Sequence, residues 1–267
     1  MEKKEIINVI NDKYLKQIKK ARHELKYNRK NFWKKNKDNF INNIKTLVSF
    51  FSYPPGWRVN IIVSYFLLDK EGTSMPYDDE VWSFVDIVGA TEKQGKDLVV
   101  FFNKKDLEFL SAPALIPLLV HEMKHVYQAA ENPKRYIEEG INDKIHLENE
   151  REAEAEVKKY SDEFRKENVL EKVLYCYDKK GWKGAKKMAY YLYAESADAY
   201  GGGYNQEMMK DEYEVFLKAE EEKDIDIFID YFINTFKKPE KIQEKTQEFE
   251  KPEFIEENIP KLEKVVS

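Results

Sequence analysis

The feature that most constrains this chain is a helical stretch that is apolar on nearly every side and still holds ionisable groups. Between about residues 112 and 130, Leu115, Ile116, Leu118, Leu119, Val120, Met123, Val126 and Tyr127 surround His121, Glu122 and His125. A helix that is apolar all round belongs at the centre of a fold. Ionisable side chains there are costly unless they have partners. The fold must therefore be built around this helix and must bring partners to it.

The spacing says what those partners are for. Two His at i and i+4 lie on one face of a helix, one turn apart. Both imidazoles can then reach one tetrahedral zinc ion. Glu122 follows His121 and is rotated by about 100° around the helix, so it flanks such an ion without ligating it. A carboxylate in that position can take a proton from an activated water, as in metal-assisted hydrolysis. A site of this kind takes a third protein ligand.

The candidates for that ligand are His146, Glu150, Glu152, Glu154 and, further along, Glu195. From Ala153 an apolar stripe runs through Val157, Tyr160 and Phe164. Extended back by three residues it meets Glu150, which places Glu150 on the buried face and makes it the preferred choice. Glu154 borders the stripe one turn later, where it can hold a ligand His from behind and fix its tautomer. Glu152 falls on a face with Ala155, Glu156 and Lys159, which reads as solvated. His146 and Glu152 remain as alternatives.

The rest of the chain organises around this centre. Helical spacing predicts helices over 3–27 and 31–51, ended by Tyr53-Pro54-Pro55-Gly56. Trp57–Leu68, Val81–Val88 and Leu98–Phe102 read as strands of a small, mostly antiparallel sheet, punctuated by Gly72-Thr73-Ser74, Met75-Pro76 and Gln94-Gly95. Helices are expected at about 112–130, 147–166, 168–179, 182–200, 205–222 and 224–236. Gly201-Gly202-Gly203 marks a break. Residues 237–267 form a charged segment that reads as a mobile tail. The expected division is 1–53 N-terminal helices, 54–166 core, 167–236 helical C-terminal region and 237–267 tail.

Composition narrows the classes. The single cysteine, Cys176, excludes an intramolecular disulfide and a Cys-rich zinc finger. No stretch reaches the roughly 18 apolar residues of a membrane span, and the first residues lack an apolar leader core, so a soluble, cytoplasmic protein is expected. Residues 1–45 hold 14 Lys/Arg against 5 Asp/Glu, a balance of +9 within a chain of net charge −5. Such an arm can meet nucleic acid, or can simply be a solvated helix face.

Val120-His121-Glu122-Met123-Lys124-His125 and Glu150-Arg151-Glu152-Ala153-Glu154 together resemble the gluzincin zinc peptidases. The second run is similar to the E-x-x-A-D/N segment of ImmA/IrrE-type peptidases, although Val157-Lys158-Lys159 follows here rather than an apolar Leu-Leu-x-Pro. The resemblance implies an α+β fold: a zincin-like core of small sheet, active-site helix and glutamate helix. It implies one Zn2+ on His121, His125 and Glu150, with Glu122 as general base and Glu154 where the family has Asp or Asn. It further implies a peptide or protein substrate, paired with the strand Leu98–Phe102, and an oxyanion-stabilising side chain, for which Tyr190, Tyr191, Tyr193, Tyr200 and Tyr204 are candidates. No metzincin-type third His follows, since positions 128 and 131 are Gln and Glu. Two further readings stand beside it: a non-catalytic zinc-containing binding module, and a DNA-associated SprT-like protease using His146.

Overall fold

The computed structural model describes residues 12–65, 83–87, 97–139, 142–160, 162–195 and 204–234. Helix α1 (Asp12–Val48) is bent at Asn28, whose φ of −150° and ψ of 53° are not helical. The two helices expected at the N-terminus meet at this bend; residues 1–11 lie outside the described range. Ile18, Leu25, Phe32, Phe40, Ile44 and Leu47 give α1 one continuous buried face. Past the helix, Tyr53 Oη donates to the Val48 carbonyl at 2.8 Å. Gly56, at φ +79°, turns the chain into the sheet.

The sheet has three strands in the order β1-β3-β2, where β1 is Arg58–Ser64, β2 Ser83–Ile87 and β3 Asp97–Asn103. β2 pairs with β3 antiparallel, from Ser83 opposite Phe102 to Ile87 opposite Leu98. β1 pairs with β3 parallel, from Arg58 opposite Asp97 to Ser64 opposite Asn103. The mostly antiparallel sheet expected from sequence is therefore corrected to a mixed one. Gly and Pro clusters mark where strands end and leave pairing direction open. Here the chain visits the far edge as β2 before returning to the middle, and that detour makes a parallel pair possible. The detour includes the turn-forming clusters at 72–76 and 94–95, which fall outside the described residues.

A second correction concerns β3, which is the central strand and not a free edge for substrate. Its own sequence carries the reason. Leu98, Val100, Phe101 and Phe102 are all buried, and a strand covered on both faces reads as a continuous apolar run. The sheet edge nearest Glu122 belongs to β2.

Against the sheet lies α3 (Ala112–Glu131), capped at Ser111 with Pro113 in its first turn. A one-turn helix α2 (Lys104–Leu107) precedes it, and α4 (Pro133–Glu139) and α5 (Asp143–Tyr160) follow it. α6 (Asp162–Tyr190) passes through Gly181 at φ 64° and ψ −159°, a conformation natural only to glycine. This is the junction expected between 168–179 and 182–200. A π-helical turn, Tyr191–Glu195, extends α6, and α7 (Tyr204–Glu222) and α8 (Ile225–Asn234) form a final pair.

α3 is the hub of the contacts, touching α1, α4, α5, α6, β2 and β3. Its N-terminus is clamped. Glu171 of α6 accepts from the Ser111 N–H at 2.7 Å and from the Ser111 hydroxyl. One turn earlier, Glu167 accepts from Arg22 of α1. Asn168 donates to the Ala114 carbonyl at 2.9 Å. The described residues all fall in one compact unit. The expected tail, 237–267, lies outside the described residues, and no described helix is long and apolar enough to cross a membrane.

Candidate metal centre

The half-buried His121 and the buried His125 and Glu150 meet between α3 and α5. The Nε2 atoms of His121 and His125 are 3.1 Å apart. Glu150 Oε2 is 3.1 Å from His121 Nε2, and Oε1 is 3.1 Å from His125 Nε2. The side chains that the sequence singled out thus converge on one point. Tetrahedral zinc ligands at about 2.0–2.2 Å from the ion stand roughly 3.3–3.6 Å from one another, so an outward shift of a few tenths of an ångström would seat such an ion.

The far sides of the rings strengthen that fit. His121 Nδ1 is 3.2 Å from Glu154 Oε1, the position expected for a group backing the ligand. His125 Nδ1 is 2.8 Å from Gln128 Oε1. Gln128 is fixed in turn, since its Nε2 donates to the Asn149 carbonyl at 3.0 Å and to Glu152 Oε2 at 3.1 Å. With acceptors on both Nδ1 atoms, each neutral ring carries its proton at Nδ1 and turns its Nε2 lone pair inward. Two lone pairs and a carboxylate then face one another. Glu150 Oε2 is buried 3.1 Å from His121 Nε2, so without an ion only a proton on that nitrogen can satisfy it. A cation at the focus resolves this arrangement.

Electrostatics agree. Burial opposes charge on His121, but Glu150 and Glu154 on its two sides outweigh that and hold its pKa well above the usual range. Burial pushes Glu150 up, but His121 and His125 override it and hold the carboxyl well below the ordinary value. The site draws positive charge to itself even when only protons are available. Glu122, next to the group, is pushed up by burial against the pull of His121 and His125. Its Oε1 accepts from Ser83 Oγ at 2.6 Å, and its Oε2 is buried without a hydrogen-bond partner.

The other candidates fall elsewhere. His146 sits one turn before Glu150 with its Nδ1 2.8 Å from Glu139 Oε1, outside the first trio. Glu152 is at the rim, 3.4 Å from Lys124 Nζ. Tyr193 stacks on Tyr213 in the C-terminal region, and Tyr190 is exposed. Tyr200 and the side chains of Tyr204 and Glu195 lie outside the described residues. The aromatic residue near the site is Tyr136, with its ring 6.2 Å from that of His125 and its hydroxyl donating to the Val85 carbonyl at 3.2 Å.

Sequence reasoning missed Gln128, Ser83 and Glu139. Gln128 was readable, because i+3 from a ligand His is where a side chain can reach its outer nitrogen. Ser83 and Glu139 arrive through tertiary packing and leave no local signal. No family model, curated protein or solved structure matches the chain.

Proposed function

We propose that this chain is a zinc-dependent peptidase in which His121, His125 and Glu150 hold the ion and Glu122 is the general base. The observation that carries this reading is the convergence of two inward-facing Nε2 atoms and the Glu150 carboxylate beside a buried Glu122 oxygen without a partner. Zinc in such a ligand set supplies Lewis acidity toward water and toward a carbonyl oxygen.

The chain's own residues do the rest. Glu122, kept basic by burial, takes a proton at Oε2 from the attacking water as the water oxygen bonds to the peptide carbonyl carbon, and passes it to the amine nitrogen as the C–N bond breaks. Ser83 holds the other oxygen, which fixes the carboxylate plane. Glu154 and Gln128 hold the imidazole tautomers. The β2 edge, on the Glu122 side of the sheet, is the place for extended peptide to add by backbone hydrogen bonds. His146 outside the first trio favours a Glu third ligand over a His one.

The test is metal analysis with a proteolysis assay on an unfolded protein such as casein. The purified chain should carry one tightly held zinc. Glu122→Gln should keep that zinc and lose on the order of 10²–10⁴-fold in hydrolysis. A chain without stoichiometric zinc, or a Glu122→Gln variant of undiminished activity, overturns the reading. Tight zinc with no hydrolysis of casein or a peptide library would favour the non-catalytic binding module instead.

A further inference from the structure

Glu150 belongs to a second group as well as the first. His146 Nδ1 is 2.8 Å from Glu139 Oε1 and 3.9 Å from Glu150 Oε1. The ligand atoms of Glu139, His146 and Glu150 all lie within 4.8 Å of one another. Glu139 is not a loosely placed surface acid. Its other oxygen accepts from Asn149 Nδ2 at 2.6 Å, and Asn149 is buried. Glu150 is itself more than nine-tenths buried, at 7% exposed, and the oxygen it turns toward His146 is Oε1, the one also 3.1 Å from His125 Nε2.

Charge points the same way. Glu122, Glu139, Glu150 and Glu154 gather around three imidazoles. Of the nearby cations, Arg135 pairs with Glu148 at 2.8 Å and Lys124 with Glu152 at 3.4 Å, while the buried Lys172 of α6 interacts with Glu154.

We propose that Glu139, His146 and Glu150 hold a second divalent cation, joined to the first site through the Glu150 carboxylate. One imidazole nitrogen with carboxylate oxygens suits zinc or another first-row divalent ion, with water completing the shell. The His146 side chain is 42% exposed against 5% for His125. The second ion is therefore reached from solvent, held by fewer enclosed ligands, and exchanges more readily than the first. The bridged arrangement rests on the first trio binding its ion, while the second trio stands on its own geometry.

The test is a zinc titration of the full chain by calorimetry with metal analysis after dialysis, repeated with Co2+ to follow each site by its visible spectrum. The wild type should take up two equivalents, one tight and one weaker. His146→Ala, and separately Glu139→Gln, should keep the tight equivalent and weaken the other by at least about tenfold. A His121→Ala/His125→Ala double variant should lose the tight equivalent and keep the weaker one. The proposal is overturned if the wild type binds only one equivalent, or if the second equivalent is unchanged in both His146→Ala and Glu139→Gln, which would leave Glu139 and His146 as a hydrogen-bonded pair. A tight equivalent that survives the double variant would instead overturn the first site.

Discussion

Two clusters of buried charge touch α3, and they are completed in different ways. At its N-terminus, Arg22, Glu167 and Glu171 are all buried. Glu167 has the Arg22 guanidinium, and Glu171 has the N–H and hydroxyl of Ser111 at the positive end of the helix. The countercharge comes from the chain. Further along the helix, the carboxylates around His121 and His125 face imidazoles, and the buried Lys172 of α6 interacts with Glu154. Buried charge alone therefore does not mark function in this fold. The second cluster differs in grouping its carboxylates around imidazole nitrogens, the arrangement on which the proposed metal site rests.

The largest expected effect tests the first half of that contrast. Arg22→Ala leaves Glu167 buried without its cation and should cost about 3–5 kcal/mol of stability, read from the denaturant midpoint. The zinc content of the folded fraction should stay the same, because the clamp positions the α3 N-terminus and not the ligands. An unchanged midpoint would show that Arg22 and Glu167 do not depend on each other.

The clamp should also make stability fall with rising pH. Burial pushes Glu167 up to about 7 against the pull of Arg22, and Glu171 is raised further by burial and by Glu167. In the folded chain Glu167 keeps a proton that the unfolded chain releases near 4.5. Its contribution is full below 4.5, declines as pH rises toward 7, and levels off above that, a loss of up to about 3 kcal/mol. Unfolding of zinc-loaded protein at pH 5 and pH 8 should show this slope, and Glu167→Gln should make it shallower, leaving the part that Glu171 contributes. An equal slope in the variant would assign the titration elsewhere.

The two clusters also differed in how readable they were. The metal trio was legible because helical periodicity alone put His121 and His125 on one face and Glu150 on the apolar stripe of α5. The clamp was not. Arg22 and Glu167 are 145 residues apart, and each looks like an ordinary charged position in a Lys- and Glu-rich helix. The same limit applied to the sheet: strand positions were readable from β-branched and aromatic runs, but the parallel pairing of β1 with β3 depends on which strand lies between them in space. The continuous apolar run of β3 did signal a central strand, and it was a better guide than the analogy that made it an edge.

The smallest effect sharpens what backs the metal ligands. Glu154 contacts His121 Nδ1 at 3.2 Å and is partly exposed, at 23% of its side chain. If its work is to hold the proton on Nδ1, any acceptor there suffices, and Glu154→Gln should weaken zinc by only a few-fold, roughly 1 kcal/mol or less. Removing the acceptor altogether in Glu154→Ala should cost about 10–100-fold. Gln128→Ala, which strips the acceptor from His125, should fall in the same range, because a neutral amide already does that work on the other ring. Competition titrations with a chelator at constant pH separate the cases. If Glu154→Gln were as damaging as Glu154→Ala, the negative charge of Glu154, and not its place as an acceptor, would be what raises the donor strength of His121. The two histidines would then be backed by different physics: charge behind one and a neutral acceptor behind the other.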